Sequence, residues 1–198
     1  MISAPIVSRT WFDRPSVELA PRLLGARLLH DAPEGTVGGL IVEVEAYSGP
    51  EDVAAHSSRG RTGRNGVMFG PPGHLYVYLI YGLHHCMNVV AGPGDKPEAV
   101  LIRAIQIDEG IELARARRGP RAPHGRLAAG PGNVGQALGI DRSHDGIDLL
   151  AGPIRIEPRS GRPPPMRTGP RVGVAYAGDW AARPMRYWIA DDPNVSRR

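Results

Sequence analysis

Turn-forming residues fall so densely along this chain that its elements must be short: 26 glycines and 20 prolines are spread over 198 residues. Such punctuation predicts short strands and helices joined by many turns. The length and the 41% hydrophobic content still allow a real core in one domain, residues 1–198. They exclude a tandem enzyme. No repeat recurs at a period of about 20 to 50 residues, which argues against a solenoid or propeller. The longest apolar run, residues 75–83, holds three tyrosines, and it falls short of the roughly 18 to 20 residues that a membrane-spanning helix needs. The opening segment MISAPIVSRTWFDRPSVELA lacks the basic start and long apolar stretch of a secretory leader, and the single Cys86 has no partner for an internal disulfide. The expectation is a cytoplasmic protein with no membrane contact.

Local signals divide the chain further. Ser16 is predicted to cap a helix over residues 17–24 that stops at Gly25. Residues 26–30 and 37–46 read as strands joined by a turn at 31–35, and residues 75–80 and 85–90 as a second pair around Tyr81-Gly82. A third apolar strand covers 99–105, and Asp108 is predicted to cap a helix over 110–118 ended by Gly119. Residues 119–132 read as a mobile loop, 134–138 as a short helix, and 154–157, 171–174 and 186–189 as closing strands. Pro163-Pro164-Pro165 marks an exposed loop rather than a linker. Short loops between strands mean antiparallel pairing, and the helices interrupt them without a βαβ rhythm. The fold class is therefore α+β.

Two segments concentrate reactive side chains. In LIVEVEAYSGPEDVAAH, residues 40–56, strand alternation places Leu40, Val42, Val44 and Ala46 toward the core and Glu43, Glu45 and Tyr47 on the opposite face. By itself this pattern also describes an ordinary antiparallel strand with one wet face. In GHLYVYLIYGLHHCMN, residues 73–88, Tyr76 and Tyr78 share a face, and the turn at Gly82 presents Tyr81 at a hairpin tip. Cross-strand packing or a protein interface would account for these rings equally well. His84, His85 and Cys86 are adjacent with His74 nearby, but neighbours on a strand point to opposite faces and lack the spacing of a zinc site. The net charge of +4 is carried almost wholly by arginine, since Lys96 is the one lysine. This suits a phosphate-bearing partner and equally suits a GC-rich genome.

Five strings in order carry a resemblance: IVEVEAYSGPEDVAAHSSRG, RNGVMFGPPGHLYVYLIYGLHHCMN, AVLIRA, GPGNVGQALGI and RVGVAYAGDWAARPMRYWI. They resemble the mammalian-type alkyladenine DNA glycosylases, also called methylpurine or 3-methyladenine DNA glycosylases, over nearly the whole chain. The resemblance implies a curved, mainly antiparallel sheet with flanking helices and a protruding hairpin. It also implies a monomer that works at the bacterial nucleoid without metal or organic cofactor. Its partner would be double-stranded DNA containing an alkylated or deaminated purine, whose N-glycosidic bond is hydrolysed to leave an abasic site.

By position, Glu45 matches the family's general base, Arg103 the arginine that holds the attacking water and keeps the carboxylate ionised, and Val172 a residue whose backbone carbonyl contacts that water. Tyr47, His56 and Tyr78 match the rings that sandwich the flipped purine, Asn88 the residue that reads its edge, and Tyr81 the intercalating wedge. Arg59, Arg61 and Arg64 are expected phosphate contacts. Chemistry on a base inside a duplex requires extrusion of that base at a few kcal/mol, and an ionised carboxylate stabilises the oxocarbenium-like sugar that forms as the purine departs. A strand-cutting mechanism through a Schiff base would need an amine, and Lys96 lies in a Gly-Pro-rich loop, so a monofunctional enzyme is expected. His84 and His85 replace aromatic residues of the mammalian proteins, and residues 89–102 run two longer. Two other readings remain: a silent lesion-binding protein with the same pocket, and a metal-dependent nuclease using Glu43, Glu45, Asp52 and His56.

Overall fold

The computed structural model of the chain describes residues 7–93, 96–123 and 125–197. The first six residues of the segment read for a leader lie outside the described residues, as do two positions of the 89–102 segment and one of the 119–132 segment. Helices α1 (Arg9–Phe12) and α2 (Ser16–Leu23) lead into the hairpin of β1 (Arg27–Ala32) and β2 (Gly35–Tyr47). A second hairpin, β3 (Leu75–Ile80) and β4 (His84–Ala91), is followed by the long strand β5 (Glu98–Glu109). Next come α3 (Ile111–Arg118), the two-residue β6 (Ala128–Ala129) and α4 (Pro131–Leu138). The short strands β7 (Ile154–Glu157), β8 (Met166–Gly169) and β9 (Arg186–Ile189) follow.

Every pairing among the described residues is antiparallel, in the order β3-β4-β5-β2-β1-β7, with β6 added to β5 and the β8–β9 pair added to β2. This is the expected α+β class. No helix among the described residues is long and apolar enough to cross a membrane. The main core lies on the sheet face that receives Leu19, Ala20 and Leu23 from α2 and Val134, Ala137 and Leu138 from α4. Full burial of such side chains contributes about 1.5–3 kcal/mol each for the larger ones.

β2 holds the middle of the sheet and departs from simple alternation. Ile41, Val44 and Ala46 belong to the main core, whereas Leu40 is only half-buried and Val42 lies outside that core cluster. Register shifts against β5 between Ile41 and Glu43, and again between Glu43 and Val44, explain the difference from strict alternation. A bulge adds a residue to one strand and re-aims every side chain beyond it. Glu43 and Glu45 are fully buried rather than wet, because segments from the C-terminal third cover that face. Upstream, Gly38 and Gly39 let β1 and β5 close on β2 from both sides: a Cβ on Gly39 would come within 1.9 Å of the Gln106 carbonyl oxygen.

Tertiary partners displace several local signals. Ser16 is the first residue of α2 rather than its cap, and its amide donates to Glu98 Oε2 at 2.6 Å, so a carboxylate from β5 satisfies the helix start. Asp108 remains in β5, bonded to both terminal nitrogens of Arg27 at 2.8 and 2.9 Å, and Gly110 in a left-handed conformation precedes α3 instead. The 119–132 stretch is no continuous loop. Its end forms β6 and the first turn of α4, with the Gly130 amide on the Arg103 carbonyl at 2.9 Å. Residues 171–174 form no strand, because Arg171 turns inward, the Val172 amide is drawn to Glu45 and Gly173 adopts φ +79°; β8 pairs with β9 in their place.

That inward turn builds a buried tie. Arg171 binds Asp52 through both terminal nitrogens, one bond being 2.8 Å, and donates to the Ala46 carbonyl at 3.0 Å. Asp52 also accepts the Ser48 and Ala54 amides, each at 3.1 Å. Both side chains are wholly buried, so loss of one partner strands the other's charge. Asp52→Ala should therefore cost about 3–5 kcal/mol in chemical denaturation, against less than about 1 kcal/mol for Glu112→Ala at an exposed pair. Equal effects at the two positions would contradict the tie.

Candidate active site

The bulged pairing of β2 with β5 brings two glutamates and an arginine together on the face opposite the helices. Glu43 Oε1 accepts from Arg103 Nε at 3.0 Å and from Arg186 Nη1 at 3.1 Å, and its Oε2 accepts the Ser196 amide at 2.6 Å. Glu45 Oε1 accepts the Val172 amide at 2.7 Å and lies 3.3 Å from Arg103 Nη1. Its Oε2 accepts from the Tyr47 hydroxyl at 3.0 Å. Burial pushes the Glu45 carboxyl above its ordinary value, and Arg103, the Val172 amide and Tyr47 offset this only in part. Arg103 is the largest of the influences that favour the ionised form of Glu45, and desolvation opposes it. Val172 engages Glu45 through its backbone amide.

Glu45 and Arg103 line a cavity of about 560 Å³, a size that accommodates a small organic group. Tyr47, His56, Tyr78 and Asn88 line it as well, so the structure gathers the expected base-binding side chains around one space. The His56 and Tyr78 rings stand 4.6 Å apart at 70°, and Tyr78 lies 5.5 Å from Tyr76. His56 Nδ1 and the Tyr76 hydroxyl share a 2.8 Å hydrogen bond. Asn88 is buried and donates to the Tyr76 carbonyl at 3.2 Å. Desolvation, then the nearby Arg64 charge, push the His56 imidazole below its ordinary value, toward the neutral form. Burial drives the phenols the other way: Tyr76 is pushed up to about 12, and Tyr47 and Tyr78 are also raised, so all three stay protonated at neutral pH.

Tyr81 sits where the hairpin signal placed it, on the turn between β3 and β4 and at the cavity's edge. Tyr81 and Gly82 take φ +53° and +67°, and the Leu83 amide closes the turn onto the Ile80 carbonyl at 3.2 Å. Positive φ at both central residues is the requirement of the tight type I′ hairpin turn. For a residue with a side chain this conformation costs on the order of 1 kcal/mol, and the Tyr81 ring recovers little by packing, being 86% exposed.

The three arginines are not equivalent. All are exposed, but Arg64 alone lines the cavity, its guanidinium 5.3 Å from the Tyr78 ring centre and bonded to the Leu79 carbonyl at 3.2 Å. Sequence reasoning missed Arg186, Ser196 and Arg171 as members of the site's support. Arg171 stacks on Tyr47 at 4.7 Å, and its signal lay in the RVGV string, read there as strand. Ser196 lies beyond the last recognised string and gave no signal. The three acids proposed for a nuclease all face guanidinium groups, Glu43 those of Arg103 and Arg186, Glu45 that of Arg103 and Asp52 that of Arg171. Among the described residues no three His, Cys, Asp or Glu side chains gather as a metal-ligand set.

Comparison with known proteins identifies the family of the chain. Residues 10–193 match the family described as methylpurine-DNA glycosylase (MPG). The chain is 49% identical to a Streptomyces avermitilis protein named "Putative 3-methyladenine DNA glycosylase", over 99% of this chain and 94% of that one. Proteins of the same name from Methanocella arvoryzae and Mycobacterium tuberculosis are 44% and 49% identical, the first covering 98% of this chain and 97% of its own length, the second 91% and 88%. With a family match over most of the chain and relatives of nearly equal length, the protein belongs to the methylpurine-DNA glycosylases, DNA-repair enzymes that hydrolyse N-glycosyl bonds.

Proposed function

We propose that this protein flips an alkylated or deaminated purine out of duplex DNA and hydrolyses its N-glycosidic bond with a water activated by Glu45. The observation that carries this reading is a buried carboxylate, fixed from both of its oxygens, at one side of an open cavity walled by tyrosines. A general base needs its acceptor oxygen held toward the attacking water and a pKa nearer the working pH than that of a free carboxylate. Burial supplies the second requirement, and the Val172 amide and Tyr47 hydroxyl supply the first. As the purine leaves, positive charge develops on the sugar, and an ionised Glu45 at the cavity wall would stabilise it.

The walls fit the substrate class. An N-alkylated purine is cationic or electron-poor, and protonated, uncharged phenol rings present the negative π-faces that attract it. Stacking of about 1–3 kcal/mol per ring offsets an extrusion cost of a few kcal/mol. The exposed ring of Tyr81 on its tight turn is a wedge for the gap left in the duplex. No lysine lines the cavity, and Lys96 sits exposed before β5, so the product is an abasic site on an uncut strand. Asn88, buried beside the rings, reads the purine edge, and the exposed Arg59 and Arg61 hold phosphates while the protein acts as a monomer.

Three outcomes test the reading in single-turnover excision from duplexes carrying hypoxanthine or an alkylated purine. Glu45→Gln should retain duplex affinity and lose excision by at least about 100-fold, since an amide cannot accept the water's proton; normal excision by this variant would refute the assignment. Wild-type excision should fall as pH drops, with the midpoint above the ordinary glutamate value of about 4.3. The sign follows from burial, which favours the protonated and inactive form of Glu45. A midpoint at or below that value would contradict the raised pKa. Tyr81→Ala should shorten the life of the extruded state by about 10-fold, read by fluorescence of a base analogue; an unchanged lifetime would remove the wedge.

A further inference from the structure

The segment Asn194–Arg197 reaches into the buried charge cluster, and no step described so far uses it. Val195 is buried, and its carbonyl accepts from Arg126 Nη2 at 2.9 Å, which anchors the segment. The Arg197 carbonyl accepts from Arg186 Nη1 at 2.9 Å. Between these anchors, the Ser196 amide donates to Glu43 Oε2 at 2.6 Å, and the Ser196 hydroxyl oxygen accepts from Arg103 Nη2 at 3.3 Å. One residue therefore touches both members of the pair that abuts Glu45.

Resting on the reading of Glu45 as the base, we propose that Ser196 is a positioning residue for the reaction: it locks Glu43 and Arg103 in the orientation that aims Arg103 Nη1 at Glu45. Arg103 offers three faces, Nε to Glu43, Nη1 to Glu45 and Nη2 to Ser196. Glu43 holds Arg103 through Oε1, and the donor that fixes the other end of this carboxylate is the Ser196 amide. Without that amide, a fully buried Oε2 lacks its partner and the carboxylate is free to turn toward Arg103. The guanidinium then follows Glu43 and leaves Glu45, where the contact is 3.3 Å against 3.0 Å to Glu43.

Arg103 is the largest influence opposing desolvation at Glu45. The other groups that face Glu45 are Glu43 and Tyr47 on β2, Arg171 and the Val172 amide, Tyr78 on β3 and Cys86 on β4. Of these only Glu43 touches Ser196, and Glu43 holds Arg103 through Oε1, so displacement of Arg103 is the route by which Ser196 affects the base.

The test is the pH profile of single-turnover excision for the full chain carrying Ser196→Pro, which deletes the amide donor, or Ser196→Ala, which deletes only the hydroxyl. The proposal expects the acid midpoint of Ser196→Pro to rise by about one pH unit, with about tenfold slower excision below it and unchanged affinity for undamaged duplex. Ser196→Ala moves the midpoint in the same direction by less. Midpoints at the wild-type position in both variants would overturn the proposal, even if the maximal rate fell, because a purely structural role lowers the rate at every pH. Should Ser196→Pro not fold, Ser196→Ala decides: an upward shift supports the proposal and an unmoved midpoint overturns it. Wild-type protein that releases no base from either lesion overturns the functional reading itself, whereas wild-type excision with unmoved variant midpoints overturns only the role of Ser196.

Discussion

Arg103 lies between two buried glutamates, and much of the structure around the site serves that contact. Glu43 and Glu45 stand two residues apart on one strand with no solvent exposure. Moving a carboxylate out of water carries a penalty of several kcal/mol even after relaxation, so two like charges this close require compensation from several directions. The compensation comes from four parts of the chain: Arg103 on β5, Arg186 on β9, the Val172 amide and the Ser196 amide. The bulges in β2 and β5 aim these side chains at one another, and the irregular 170–174 segment and the final residues close over them.

The two acids are compensated unequally, and this difference separates their roles. Glu43 accepts two guanidinium bonds and one amide bond, which makes it a fixed strut. Glu45 has one longer arginine contact, one amide and one phenol, and burial leaves its carboxyl raised above the ordinary range. An arrangement that buries a charge it does not fully satisfy gives up stability for function.

The fold class was legible because Gly and Pro punctuation and short inter-strand loops report local geometry, and the hairpin with Tyr81 at its tip follows from the same signals. The burial of Glu43 and Glu45 was not legible. Alternation in residues 40–47 describes one strand, whereas the cover over its polar face comes from residues more than 120 positions away, such as Val172 and Ser196. The same limit explains Ser16 and Asp108, whose capping signals yielded to Glu98 and Arg27 across the sheet. Tyr47, His56, Tyr78 and Asn88 were named through resemblance, and the cavity brings them together. Arg171 and Ser196 act through backbone and buried partners, which leave no pattern in composition or spacing.

The central claim is that this buried cluster presents Glu45 to the sugar of an extruded purine. A crystal structure of the Glu45→Gln protein with a duplex carrying one hypoxanthine tests it most directly. The account predicts the base among Tyr47, His56 and Tyr78, Tyr81 in the vacated stack, and a water between residue 45 and the anomeric carbon. A lesion left paired in the duplex, or an extruded nucleotide whose anomeric carbon faces away from residue 45, would contradict it.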